Sequence, residues 1–433
     1  MTQLVWFRRN LRLHDNPTLS AALASGPTYG VFFYDEQLTG TWLGMRRCGP
    51  HRARFIWESL KDLRQQFNTV NLPLEIYLGQ PEDQLPELCA QFGITHVHTQ
   101  NLPGAEEQIQ LTQLTHRLQA LNIEVIAHED YTLLTYSQVK VTHPNALDSF
   151  SRFRKKVMPL LSTDSFSPTA VPHKQAYDLH ELPQGLTESP LPLIATHEIP
   201  ECLPFHGGET QALQRLNAYC SEAIFHYKET RNGLLGRDYS GKLSPWLNLG
   251  CISARQVYTA IMVAEERQNA NASTEWFVVE LLWRDFFQHS ARERSSALFH
   301  GHSNQLTAGE KPSRARSSFD QWQRGQTGHE FLDAAMRELK VTGFMSNRAR
   351  QNAASALIHD LAIDWRRGAM WFENRLIDYD PASNYGNWQY IAGIHGNSRG
   401  GSWFNLDKQA EFYDPTHAYR QFWQTNVKSN GTP

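Results

Sequence analysis

The spacing of apolar residues changes once along this chain, and that change limits the possible folds more than any single motif. Through the first 130 residues, short runs rich in Val, Ile, Tyr and Phe alternate with amphipathic stretches. The runs are Leu4 to Phe7, Tyr29 to Phe33, Leu74 to Leu78, Thr95 to Val97 and Glu124 to Ala127. The helical stretches are Pro17 to Ala24, Arg52 to Phe67, Pro81 to Phe92 and Glu106 to Leu121. Strands that alternate with helices predict an α/β domain with a parallel, doubly wound sheet. From Pro159 to Pro204 the periodicity fades, and eight prolines there exclude regular helix or central strand. After Gly208 the spacing is i, i+3, i+4 throughout: Glu209 to Ile224, Ala254 to Arg267, Thr274 to Arg292, Phe331 to Leu339, Asn347 to Ile363 and Trp371 to Leu376. The expected organisation is an α/β domain over 1–130, a connector over 131–204 and an all-α domain over 205–433.

Composition removes several classes of function. With 40% apolar and 20% charged residues and a net charge of −3, the chain is too apolar for disorder and carries no global basic excess. It has no run of eighteen apolar residues and no basic-then-apolar start, so a cytoplasmic protein outside the membrane is expected. Cys48, Cys89, Cys202, Cys220 and Cys251 are scattered without a C-x-x-C pair, which argues against a disulfide framework and a metal site. No G-x-G-x-x-G follows the first strand, so a dinucleotide dehydrogenase is disfavoured. Gly236 to Lys242 fits seven places of a phosphate-binding P-loop, but Leu243 stands where Ser or Thr must hold magnesium, and no strand precedes it. Nine of the 12 tryptophans lie at or after Trp246.

Three constellations remain. The turn Tyr239 to Ser244 offers Ser240, Lys242 and Ser244 ahead of a helix start, a diphosphate cradle of another kind. Glu280, Trp283 and Arg284 sit at i, i+3 and i+4 of an apolar helix and place a carboxylate, an indole and a guanidinium on one face. Asn347 and Arg350 share the next long helix, and the segment Asp378 to Trp388 interleaves Asp378, Asp380 and Asn384 with aromatic residues. Such interleaving points to partial burial, and a buried carboxylate needs a partner such as Arg350.

In their order, Tyr227 to Asn232, Asp238 to Leu247, Gly250 to Ser253, Glu280 to Phe287, Thr342 to Arg348 and Asp378 to Tyr390 resemble the photolyase/cryptochrome flavoproteins, as does the start Trp6 to Asp15. Gln389-Tyr390, Gln351 after Arg350, Phe404-Asn405, Gln409-Ala410 and Tyr413 to Pro415 are similar to the cryptochrome-DASH branch.

The resemblance implies that the helical domain binds FAD. Tyr227, Ser240, Lys242, Leu243 and Ser244 would surround its phosphates. Arg284, Asn347, Arg350, Asp378 and Asp380 would surround flavin and ribose, and Asn384 would face the flavin N5. Glu280 and Trp283 would line a lesion pocket with Gln351 and Tyr390, the indole stacking on a flipped pyrimidine dimer. The implied activity is blue-light-driven repair of cyclobutane pyrimidine dimers, by a monomer that prefers single-stranded DNA. No metal is implied. Trp388 and Trp365 match the inner members of an electron-transfer chain. The place of the outermost falls near Pro312, in a stretch without Trp, where Trp322 or Trp371 would have to substitute. An antenna pigment, methenyltetrahydrofolate in this branch, would contact Glu107. From Arg284 to Arg350 eleven basic residues face seven acidic ones, a local surplus suited to phosphate contact. The competing functions are a flavin photoreceptor without repair and a photolyase for the (6-4) lesion, which would need a pocket histidine.

Overall fold

A computed structural model of the chain describes residues 1–425 except 43, 144, 163–165, 178, 196–204, 300–311 and 396–399. Parallel strands β1 (Thr2–Phe7), β2 (Thr28–Tyr34), β3 (Leu74–Leu78), β4 (Ile94–Gln100) and β5 (Glu124–His128) form a sheet in the order β3-β2-β1-β4-β5. The period of two along each strand sends its side chains to opposite faces. Leu4, Trp6, Val31 and Phe33 meet Leu85, Leu88, Leu114 and Leu118 of the helices Pro81–Phe92 and Ala105–Gln119. Val5, Phe7, Phe32 and Tyr34 face the helix Pro50–Thr69 and a core that runs on through Trp246, Leu282 and Trp388 to Trp423. The winding reverses at β1, which has β2 on one side and β4 on the other. A crevice at the carboxyl ends of those strands is the expected consequence.

The seam between the sheet and the helical region is built from backbone and buried carboxylates. Leu11 N–H donates to Leu249 O at 3.1 Å. Glu209, 1% exposed, accepts Leu13 N at 2.7 Å and His14 N at 3.0 Å. Asp285, 0% exposed, accepts Leu133 N and Leu134 N at 3.1 and 3.0 Å. Burial pushes that carboxyl up to about 7 against the pull of Arg284. Gly250 ends the short helix Ser244–Leu249 at φ +66°, and a Cβ there would meet Arg9 O at 2.0 Å. Only glycine permits both the turn and the approach.

Three expectations about secondary structure change. The stretch assigned to the connector begins with helices Tyr136–Thr142 and Phe150–Val157. Phe150 and Phe153, at i and i+3, pack on Phe286 of the long helix Ala272–Arg294 and hold the second of them there. The helix that starts at Asn347 ends at Ser355 and widens into a π turn over Ala356–Asp360. The polar segment after Asp378 is itself a helix, Pro381–Ile391, with Asp380 as N-cap and Pro381 in the first turn. Both signals stand in the sequence, but polar residues on every face hide the apolar stripe that marks the other helices. No helix among the described residues is long and apolar enough to cross a membrane. Cys202, Pro200 and Pro204 lie outside the described residues.

Candidate functional site: a two-lobed cavity in the helical region

Four chain segments converge on one cavity: the turn Tyr239–Ser244, the helix Ala272–Arg294, the helix Asn347–Ser355 and the helix Pro381–Ile391. The larger lobe spans about 1160 Å³ and the smaller about 580 Å³ of space between protein atoms, part of it open to solvent. Asn347, Arg350, Asp378, Asp380 and Ser383 line both, so the lobes share an ionic wall.

The larger lobe carries Tyr227, Ser240, Lys242, Leu243 and Ser244, together with Phe277, Glu280, Leu281 and Arg284. The last four recur at i, i+3, i+4 and i+7, one helix face. Lys242 has a left-handed φ of +51°, an uncommon conformation for a non-glycine residue, and donates to Gly236 O at 2.6 Å. Its Nζ lies 4.2 Å above the Tyr239 ring. Ser244 Oγ donates to Asp378 Oδ2 at 2.6 Å, and Arg350 Nη2 to the same oxygen at 2.8 Å. The expected Arg350–Asp378 pair is therefore present. Asp378 Oδ1 is buried without a hydrogen-bond partner. An orphaned carboxylate oxygen in a cavity wall is an acceptor waiting for an N–H. Arg284 donates to Tyr131 O at 2.7 Å and Leu247 O at 3.2 Å, so it is a wall of the lobe fastened to backbone.

Beyond the shared wall the smaller lobe sets Ala354, Phe372, Leu376, Trp388 and Ile391 against the polar side chains of Gln351, Asn384 and Asn387. Asn384 Nδ2 donates to Ala369 O at 3.0 Å, which leaves its carbonyl oxygen for a donor in the cavity. Trp388 is 2% exposed. A Cβ on Gly368 would meet Trp388 Cη2 at 2.2 Å, so the indole lies against the backbone of the helix that starts at Trp365.

Other expected residues are engaged within the protein or lie outside the cavity. Glu280 is not a free carboxylate: its Oε1 accepts Arg231 at 2.9 Å and Trp276 Nε1 at 3.0 Å. Trp283 does not line either lobe. Phe150 stacks on it with centroids 3.4 Å apart and planes 10° apart, and Phe287 flanks it at 5.7 Å. The helix turns Trp283 one row away from Glu280 and Arg284, and one indole face is already occupied. Tyr390 is 38% exposed and also outside both lobes. Trp365 is 4% exposed and meets Tyr385 edge-on at 6.1 Å. Trp322 cannot be a solvent-exposed outer residue, because it is 0% exposed, 6.4 Å from Trp388, with its N–H on Ala353 O. Two members of the basic surplus are paired, Arg292 with Glu129 and Arg350 with Asp378, while Arg348 donates to the neutral Gln351 and Asn232, and Lys311 lies outside the described residues.

Glu107 lines a second cavity, at the carboxyl ends of β1, β2 and β4 where the winding reverses. It is 3% exposed and bound to Arg9 at 2.8 Å, so its carboxylate is engaged within the protein. Arg8 Nη1 and Arg52 Nε are buried without partners in the same wall.

Sequence reasoning gave no role to Arg9, Arg231, Trp276 or Glu338. Arg9 and Arg231 stood inside recognised strings, but a string does not say which carboxylate each will meet. Glu338 lies behind the Lys242 turn, 0% exposed, with Oε2 accepting Tyr419 OH at 2.6 Å and Oε1 unpartnered. Burial raises its carboxyl from 4.5 to about 7 despite Tyr419, Lys242 and Arg350. A carboxyl that holds its proton more tightly when folded stabilises least once it ionises. Its contribution therefore falls as pH climbs from about 4.5 through about 7. We expect Glu338→Gln to gain on the wild type over that window, by on the order of 3 kcal/mol at its upper end. Paired unfolding curves across pH check this; a constant difference would contradict it.

Residues 3–173 match the family described as DNA photolyase, and residues 277–430 the FAD binding domain of DNA photolyase. A protein named Cryptochrome DASH from Gloeobacter violaceus is 39% identical, over 98% of this chain and 85% of its own length. The crystal structure of a Synechocystis cryptochrome superposes with TM-score 0.88 at 37% identity, covering 99% of this chain and 89% of that one. An archaeal photolyase from Sulfolobus tokodaii, described with two FAD molecules and a novel light-harvesting cofactor, gives 0.77 at 26% identity, over 99% and 91%. The chain thus belongs to the photolyase/cryptochrome family, in its cryptochrome-DASH branch.

Proposed function

We propose that the two-lobed cavity holds FAD and that the protein uses it to split cyclobutane pyrimidine dimers under blue light, with single-stranded DNA preferred. The observation that carries this is the shared ionic wall. Arg350 and Asp378 stand between a hydroxyl- and cation-lined lobe suited to phosphates and a lobe where Asn384 lies beside apolar Phe372, Leu376 and Trp388. The orphaned Asp378 Oδ1 would accept an N–H of the cofactor, and the Asn384 carbonyl would accept the N5–H that a flavin carries when reduced. Bound FAD, once reduced and excited, would supply one electron to the dimer and take it back after the ring splits.

The chain's own residues then have limited tasks. Lys242 and Ser240 hold phosphate oxygens, while the Ser244 hydroxyl, with its one proton on Asp378, orients that carboxylate. Arg231 and Trp276 fix Glu280 Oε1, leaving Oε2 to accept a base-edge N–H of a flipped dimer. Phe150 backs Trp283, so a dimer would use the opposite side of the indole or its edge. Trp388 and Trp365 pass electrons toward the flavin lobe, and Trp322 is a buried neighbour of Trp388. The second cavity, with unpartnered Arg8 and Arg52 donors, is where an antenna would bind; methenyltetrahydrofolate would have to share Glu107 with Arg9.

The test is illumination of reduced protein with oligonucleotides that carry one defined dimer, in single and double strands. We expect repair, faster in the single strand. Dimers left intact in both would overturn the repair assignment, and flavin photoreduction without repair would favour a photoreceptor. We also expect Gly368→Ala to displace Trp388 and slow photoreduction at least several-fold while FAD stays bound. A rate equal to wild type would remove Trp388 from the electron path.

A further inference from the structure

Arg9 stands in the wall of the second cavity, and the carboxylate it holds, Asp380, stands in the wall of both flavin lobes. Its Nη2 meets Glu107 at 2.8 Å and its Nη1 meets Asp380 Oδ2 at 2.7 Å. Both carboxylate side chains are buried, 4% and 7% exposed. Asp380 also accepts Gln288 Nε2 at 2.7 Å, Ser383 N at 2.7 Å and Tyr131 OH at 3.4 Å. Those three donors are neutral, so Arg9 is the one cation hydrogen-bonded to Asp380 among the described residues. Its backbone is also pinned: N–H donates to Gln100 Oε1 at 2.7 Å, and Gly250 closes against its carbonyl. Arg284, over the Tyr131 ring at 4.1 Å, is the other cation facing this group.

We infer that Arg9 is a positioning residue for the flavin: it anchors the N-cap of the helix that bears Asn384 and Trp388, and it sets the charge that Asp380 presents to the cavity, with Glu107 as its counterweight. This rests on the FAD reading of the cavity. In a buried site an unscreened charge acts at several ångströms. Reduction adds negative charge to the flavin, so a negative wall opposes it and a positive wall favours it.

The two ends of the relay must therefore act with opposite signs. Arg9→Gln leaves Asp380 uncompensated and should lower the midpoint potential of bound FAD. Glu107→Gln removes the competing anion and should raise it. Arg9→Lys keeps the charge and should recover most of the drop. Spectroelectrochemical titration of the FAD-loaded proteins reads all three. Opposite shifts, with Lys close to wild type, support the relay. Unchanged potentials, or shifts of the same sign as mere loosening of the helix would give, overturn it. If Arg9→Gln fails to fold, Glu107→Gln and Arg9→Lys still decide: a rise in the first and little change in the second support it, anything else refutes it. The flavin assignment fails separately, and is read first, as a wild-type chain that takes up no FAD.

Discussion

The carboxylate of Asp380 is the point on which the arrangement turns. Four donors reach it from four stretches of chain: Arg9 after β1, Tyr131 after β5, Gln288 on the Glu280 helix and Ser383 on its own helix. Gln288 ties the helix Ala272–Arg294 to the helix that Asp380 caps, and Arg9 and Tyr131 tie that helix to the segments that follow the sheet strands. A buried carboxylate without such partners would cost several kcal/mol or take up a proton. Here the sum of Arg9, Ser383 and Arg284 outweighs burial and holds the Asp380 carboxyl below its ordinary value, so it stays ionised. Being saturated, it acts as a hub that fixes the cavity wall, whereas Asp378, with one oxygen still free of partners, is the better direct ligand.

Charge is distributed unevenly around that hub. Lys242, Arg284 and Arg350 line the larger lobe, and all three are fastened to carbonyl oxygens so that their positions are set before any ligand arrives. Preset donors spare a ligand the cost of ordering them. Behind the turn Tyr239–Ser244, burial pushes Tyr239 and Tyr419 far above the usual phenol range beside Glu338. The turn thus rests on a layer that stays neutral when Glu338 is protonated.

The sequence made the architecture legible because it is written in periodicity. Each expected strand is a strand, and β4, read from Thr95 to Val97, extends to Ile94–Gln100 because buried Thr99 and Gln100 continue the pairing with β1 and β5. The cavity residues named from ordered strings came together as a set: Tyr227, Ser240, Lys242, Leu243, Ser244, Arg284, Asn347, Arg350, Asp378 and Asp380 all line it. What stayed hidden was pairing across long sequence distance. Arg9 and Asp380 are 371 residues apart, Arg231 and Glu280 49 apart, Phe150 and Trp283 on different helices. Spacing within one helix placed Trp283 beside Glu280, but only the packed Phe150 helix shows that an indole face is covered. The tryptophan excess resolves in the same way. Trp388, Trp322 and Trp365 are core as well as candidate electron carriers, all at or below 4% exposure, and packing and conduction make the same demand for close rings.

If the two lobes and their shared wall are a flavin site, the chain must carry one FAD without assistance. The direct measurement is the absorbance of protein purified in the dark, followed by acid release and quantitation, with apoprotein titrated by FAD as the second arm. We expect flavin bands, close to one FAD per chain, and saturable uptake that Asp378→Ala weakens. Protein that carries no flavin and takes none up would contradict the account at its centre.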